Sequence, residues 1–170
     1  MFKAIAFAGA LSLVAGAAFA QAPNDAQIAH IAYTAGVVDV AAGKQALEKS
    51  KDKAVRDFAQ EMVRDHTAVN DQALALVKKL GVTPQDNPTS QSLAKGGAAK
   101  LKELGALNGK AFDKAYAANE VAYHKTVNGA LSTVLIPNAK NPELRSLLQT
   151  GLKLFKEHQA HAEMLAASLK

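Results

Sequence analysis

Cysteine and tryptophan are both absent from the 170-residue chain. Without cysteine there is no disulfide framework, no thiolate zinc site, no iron–sulfur cluster and no thiol nucleophile. Aromatic residues make up only 5% of the sequence, too few for the stacking platforms that hold single-stranded nucleic acid. Phosphate-cradling patterns of the Gly-x-Gly-x-x-Gly and P-loop kind are missing, and Gly96-Gly97 has no preceding strand. No Gly-x-Ser-x-Gly elbow occurs either, so no catalytic residue is assigned. The formal net charge of +5 comes from dispersed lysines and arginines. It reads as a solvated surface with weak attraction to anionic envelope components, not as a nucleic-acid stripe.

What remains is 49% apolar and 21% charged residues, a globular composition with enough apolar material for one core. The first twenty residues are of another kind. Lys3 precedes an apolar run from Ala4 to Ala17, and Ala18-Phe19-Ala20 forms a small-x-small cleavage signal before Gln21. The run is shorter than the ~20 apolar residues of a spanning helix. Residues 1–20 are therefore expected to be a cleavable signal peptide, and residues 21–170 a single helical-bundle domain in the periplasm or cell envelope. Cleavage removes one lysine and lowers the formal charge to +4. No later stretch is expected to span a membrane.

From Asn24 onward Ala, Leu, Lys, Glu and Gln dominate, and strand-like alternation is missing. The first helix is expected from Asn24/Asp25, with Gln27 placed for a capping box, to about Lys49. A second covers roughly Asp52 to Leu80 and stops at Gly81. The third opens near Asn108-Gly109 and ends at Ile136-Pro137; Asn141-Pro142 caps the fourth. Short turns make helices one and two, and three and four, antiparallel pairs. About 27 residues separate the pairs, too many for a simple turn, and Leu93, Gly97, Leu101 and Leu104 suggest a short extra helix there. The expected fold is all-α: a ferritin-like four-helix bundle with one long crossover between helices two and three.

At 100° per residue, each helix places an ionisable residue on its apolar face. Asp39 lies within about 30° of the centre of helix one's stripe, and His66 within about 30° of helix two's. Glu120 sits about 40° off the centre of the stripe Phe112, Tyr116, Tyr123, Val127, Ala130, Val134, with His124 one turn on. His158 lies near the middle of helix four's stripe; His30, Glu61 and Glu157 face solvent. At 1.5 Å per residue the five inward residues fall within a slab roughly 9 Å thick. Buried ionisable groups pair, shift their pKa or bind metal. Asp39, His66, Glu120, His124 and His158 thus form either an Asp/Glu–His hydrogen-bonded layer, with Tyr116 donating to a carboxylate, or a transition-metal site for Fe, Mn, Zn or Cu.

Two stretches resemble a known bacterial family. Asp57-Phe58-Ala59-Gln60-Glu61-Met62-Val63-Arg64-Asp65-His66-Thr67 is similar to its "FA-x-x-M-x-x-DH" core. Phe112-Asp113-Lys114-Ala115-Tyr116 followed by Glu120 and His124 is similar to "FD-x-x-Y … H", and His158 and Ala162 match its final helix. The family is domain of unknown function 4142, whose members are often labelled outer membrane proteins. The resemblance implies a ferritin-like bundle and an envelope location, and no agreed activity. Asp39 stands where the family often has Glu; a shorter carboxylate is expected to reach less far into the centre. A ferritin-type di-iron centre needs Glu-x-x-His on two helices, but Val63 and Phe155 precede His66 and His158 by three.

Three functional readings follow from these residues. One is a non-catalytic envelope bundle, acting in stress tolerance, whose polar layer is structural. Another is a metal-binding or redox bundle that uses the same layer. The last is a protein-interaction module presenting Lys95, Lys100 and Lys102 on the crossover helix.

Overall fold

The computed structural model describes residues 22–169, so the expected signal peptide and its cleavage point lie outside the described residues. The described chain is an all-α bundle. Helix α1 spans Asp25–Lys49, α2 Lys53–Lys79, α3 Pro88–Gly105 and α4 Gly109–Ala130. A π-helical turn, Leu131–Leu135, leads into the short α5, Ile136–Asn138, and then α6, Pro142–Ser168. No helix among the described residues is long and apolar enough to cross a membrane.

Local chemistry explains the helix ends. Asn24 caps α1 through a reciprocal capping box with Gln27. Asp52 and Asn141 accept the first free N–H groups of α2 and α6, and Gly81 turns the chain after α2 with φ +63°. At the far end of α1, the Asp25 carboxylate accepts from the backbone N–H groups of Lys140 (2.7 Å) and Asn141 (2.8 Å). It thereby ties the start of the bundle to the α5–α6 turn.

The four bundle helices α1, α2, α4 and α6 run up, down, down, up. Lys79 pairs with Glu143, His158 meets Asp65, and Phe58 meets His161, so α6 lies antiparallel to α2. The crossover is larger than the short helix expected from the sequence. Asn87 at its start bonds the Gln27 carbonyl, and at its end the Lys49 ammonium bonds the Gly105 carbonyl. Helix α3 therefore returns the chain along the whole of α1, and its 18 residues cover about 27 Å. A shorter helix would not span the bundle.

The third helix expected from the sequence, α4 in the structure, departs from expectation at its C-terminal end. Ser132 and Thr133 donate back to the carbonyls of Asn128 and Gly129, and Pro137 has no N–H to give Thr133. The ladder shifts to an i−5 bond, Ile136 N–H to the Leu131 carbonyl. The extra residue rotates the helix face, leaving Val134 40% exposed while Leu131 and Leu135 are buried.

Two apolar clusters form the core. One gathers Val55, Phe58, Met62, Phe112, Tyr116 and Leu165 near the α1–α2 turn. The other gathers Ile28, Ile31, Leu131, Leu135, Leu144 and Leu148 at the opposite end. Small residues let α1 approach its neighbours closely. A Cβ on Gly43 would lie 2.9 Å from Val63 Cγ2 and 3.1 Å from the Ala59 carbonyl oxygen, and one on Gly97 would lie 2.7 Å from Val38. Gly43→Leu should force α1 off α2 and destabilise by about 1–3 kcal/mol, a fall in Tm of roughly 3–10 °C. Gly129 meets nothing within 4 Å; Gly129→Ala should raise Tm by roughly 2–3 °C. Thermal unfolding followed by circular dichroism checks both, and a Gly43→Leu protein as stable as wild type would refute the close-approach account.

Candidate metal centre

Between the two apolar clusters lies a layer of ionisable side chains, one or two from each of four helices. Asp39 comes from α1, His66 from α2, Glu120 and His124 from α4, and His158 from α6; none is more than 3% exposed. The structure brings all five together. His66, His124 and His158 each present a ring nitrogen such that the three atoms lie within 4.8 Å of one another. Asp39, Glu120 and His124 form a second such group, with His124 shared.

The shorter carboxylate of Asp39 reaches the centre after all. Its Oδ2 lies 2.7 Å from His66 Nε2 and 4.0 Å from His124 Nε2. The reason is the small-residue face of α1: Gly36 and Gly43 flank Asp39 by three and four residues and draw the α1 backbone onto α2. Even so, the Asp39–His66 contact is not aligned as an N–H···O hydrogen bond, and both carboxylate oxygens of Asp39 and both ring nitrogens of His66 are buried without a hydrogen-bond partner.

The outer contacts orient the rings. His124 Nδ1 lies 3.0 Å from the Glu120 backbone carbonyl, which sets Nδ1 as the donor and leaves Nε2 bare. His158 Nε2 lies 3.1 Å from Asp65 Oδ2, which leaves Nδ1 bare. Asp65 is itself gripped by the Arg64 guanidinium at 2.6 and 3.0 Å. His66 stacks on Phe155 with ring centroids 4.4 Å apart and planes 7° from parallel.

The hydrogen-bonded layer expected from the sequence is therefore only partly made. Glu120 Oε2 and the Tyr116 hydroxyl also lack partners, so Tyr116 does not donate to a carboxylate as expected. Eight side-chain nitrogen and oxygen atoms of six residues are left in this state. Native interiors satisfy the great majority of such atoms.

Asp65 and Glu61 were not legible as part of this region. Asp65 neighbours His66 in sequence and points to a different side of α2, where it meets α6 and not the centre. Glu61, expected to face solvent, lies 2.7 Å from His161 Nδ1, both half-buried. The only signal available was their i,i+4 register on the α2 edge that faces α6, which needs the helix order to interpret.

Burial and charge pull the acids apart. Burial opposes ionisation of Asp39, but the neighbouring His66 and then His124 outweigh it and hold its pKa at about 2. Burial pushes Glu120 well above the usual carboxylate range, and the Asp39 charge adds to this. Burial lowers His124 and His158 below the ordinary imidazole value. Asp65 is lowered chiefly by its bond from Arg64. Asp39 is thus the carboxyl favoured to ionise and Glu120 the one favoured to keep its proton, beside two imidazoles that resist protonation.

A family model matches residues 11–165, and its description is "Domain of unknown function (DUF4142)". The chain belongs to this family. No curated protein and no solved structure matches the chain. The family's description names no reaction, so the chemistry has to be read from the layer itself.

The pKa directions fix a pH dependence for the metal-free protein. His124 and His158 bind fewer protons folded than unfolded, so their contribution is lost as pH falls below about 6.5, when the unfolded imidazoles protonate. Glu120 binds more protons folded than unfolded and has the opposite sign. Between pH 7.5 and 5.5 the two imidazoles and the one carboxyl act with opposite signs, so the Tm of the wild-type protein in chelator should change little. Glu120→Gln removes the opposing group, and the Tm of that variant should fall distinctly from pH 7.5 to 5.5; a flat profile in Glu120→Gln would contradict the assignment.

Proposed function

We propose that this protein binds a divalent transition-metal ion in the bundle core, with His66, His124 and His158 as imidazole ligands and Asp39 and Glu120 as carboxylate ligands. The observation that carries this reading is the set of buried, unpartnered donor atoms facing one another from four helices. Imidazole nitrogen with carboxylate oxygen, and no sulfur, is the donor set of Zn²⁺, Fe²⁺, Mn²⁺ and Cu²⁺. The Glu120 carbonyl and Asp65 supply the outer contacts that metal-binding histidines use to fix ring and tautomer. With Val63 and Phe155 where a ferritin-type di-iron centre has carboxylates, the site suits one ion. The sequence of residues 1–20 supports a place for this protein in the cell envelope.

A purely structural polar layer would leave eight buried polar atoms without an aligned hydrogen bond, only Asp39 Oδ2 and His66 Nε2 being in ion-pair contact, which is why the metal reading is preferred. The test is metal content by mass spectrometry of protein purified without tag or chelator, with Tm measured on adding each of the four ions. About one metal per chain is expected. At a hundredfold excess over Kd the ion should stabilise by about 2.7 kcal/mol, a Tm rise of roughly 5–10 °C. His66→Ala and Asp39→Asn should fold and lose that rise. Absence of metal together with an unchanged Tm for every ion would overturn the proposal.

A further inference from the structure

A second feature lies below the metal-binding layer. From His66, His124 and Phe155 a cavity of about 780 Å³ runs through the lower half of the bundle toward Pro23 and Asn138. Its extent along α1, from Gly36 to Gln27, is about 14 Å. The cavity exists because facing positions on four helices carry small side chains: Ala32, Ala35, Gly36, Ala73, Ala130 and Gly151. A Cβ on Gly151 would meet only Phe155, at 3.4 Å, so the space there is real. Val69, Ala73 and Val77, which on sequence grounds belong to the core stripe of α2, are only partly buried and line this space. Protein interiors are otherwise close-packed, and a partly open apolar cavity of this size is of the kind that holds small ligands.

The wall has a distinctive chemistry. It contains no lysine, arginine, aspartate or glutamate, and apolar side chains dominate it. Near the layer, one turn along α2 from His66, stands Asn70. This residue is 8% exposed and sits against Gly36, where a Cβ would lie 2.2 Å from its Oδ1. Among the described residues its side chain takes part in no hydrogen bond. An unpaired amide in an apolar wall offers one acceptor and two donor hydrogens, all uncharged. The titratable groups of the wall are His66, His124 and Tyr123. A cationic head finds no acid there, and for an anionic head burial keeps His124 from readily becoming a counter-charge, so a charged head group is unfavourable.

We propose that this cavity binds a neutral, elongated amphiphile of the fatty-alcohol class, with its single oxygen on the Asn70 amide and its tail along the apolar wall toward Pro23. His66 and His124 close the upper end of the cavity, but the oxygen's partner, Asn70, is not a metal ligand, and the inference does not depend on the metal reading. An uncharged oxygen both gives and takes a hydrogen bond with the amide, and the chain fills space that the small side chains leave.

The test is calorimetric titration of purified, metal-free protein with three probes of equal chain length: decan-1-ol, decanoate and decylammonium. Saturable binding of decan-1-ol at one per chain is expected, at least about tenfold tighter than either charged probe. Asn70→Leu should weaken decan-1-ol about tenfold through the lost hydrogen bond. Ala32→Phe and, as a milder filling, Ala73→Leu should abolish or sharply reduce binding, with folding checked by circular dichroism. Asp39→Asn, a metal ligand that does not line the cavity, should leave decan-1-ol binding in place while removing metal uptake, which separates the two proposals. Equal affinity for all three probes, a preference for decanoate, or unchanged binding in folded Ala32→Phe and Ala73→Leu would overturn the inference.

Discussion

The close approach of α1 to the rest of the bundle is the constraint on which the site depends. Asp39 carries one of the shortest charged side chains, and it can meet His66 only if the α1 and α2 backbones lie nearer than bulky side chains allow. Gly36 and Gly43 on either side of Asp39 provide that approach, and Gly97 lets α3 press on α1 from outside against Val38. Tyr123 pins α4 to the same stretch of α1 by donating to the Ala35 carbonyl at 2.8 Å. Geometry at the layer is therefore set by residues that carry no chemistry of their own.

Placing five ionisable residues in the middle of a small bundle divides the core in two. The cluster around Phe58, Phe112 and Tyr116 is well filled and holds the α1–α2 turn, the end of α3 and the start of α4 together. The cluster at the other end is built on Ile28, Leu131, Leu135 and Leu144, yet it surrounds a cavity. Stability is thus concentrated on one side of the layer and open space on the other.

The ionisation pattern follows from the same arrangement. Two carboxyl groups in one dry region cannot both ionise cheaply, so Asp39, beside His66, takes the charge and Glu120 keeps its proton. The imidazoles of His124 and His158 remain neutral because burial penalises their charged form. Neutral imidazoles and an ionised aspartate are the protonation states in which these groups donate lone pairs to a cation.

Much of this protein is legible in its sequence for reasons that are local. Helix caps at Asn24, Asp52 and Asn141, the stop at Gly81, and the 3.6-residue stripes that put Asp39, His66, Glu120, His124 and His158 inward depend only on nearby residues and on helical geometry. The length of the crossover was enough to require an extra helix and the up, down, down, up order. Tertiary structure alone decided the rest. It set the true length of α3, because the span to be crossed belongs to the whole bundle. The π-helical turn that swaps Val134 for Leu131 and Leu135 has local causes as well, Ser132, Thr133 and Pro137, but shows only when all three act in one turn. Tertiary structure gave Asp39 its reach, brought Asp65 to His158 and left Tyr116 unpartnered, since these depend on distances between helices. The cavity belongs here too: Ala32, Ala73 and Ala130 read singly as ordinary helix formers, and only their convergence from different helices makes an empty space.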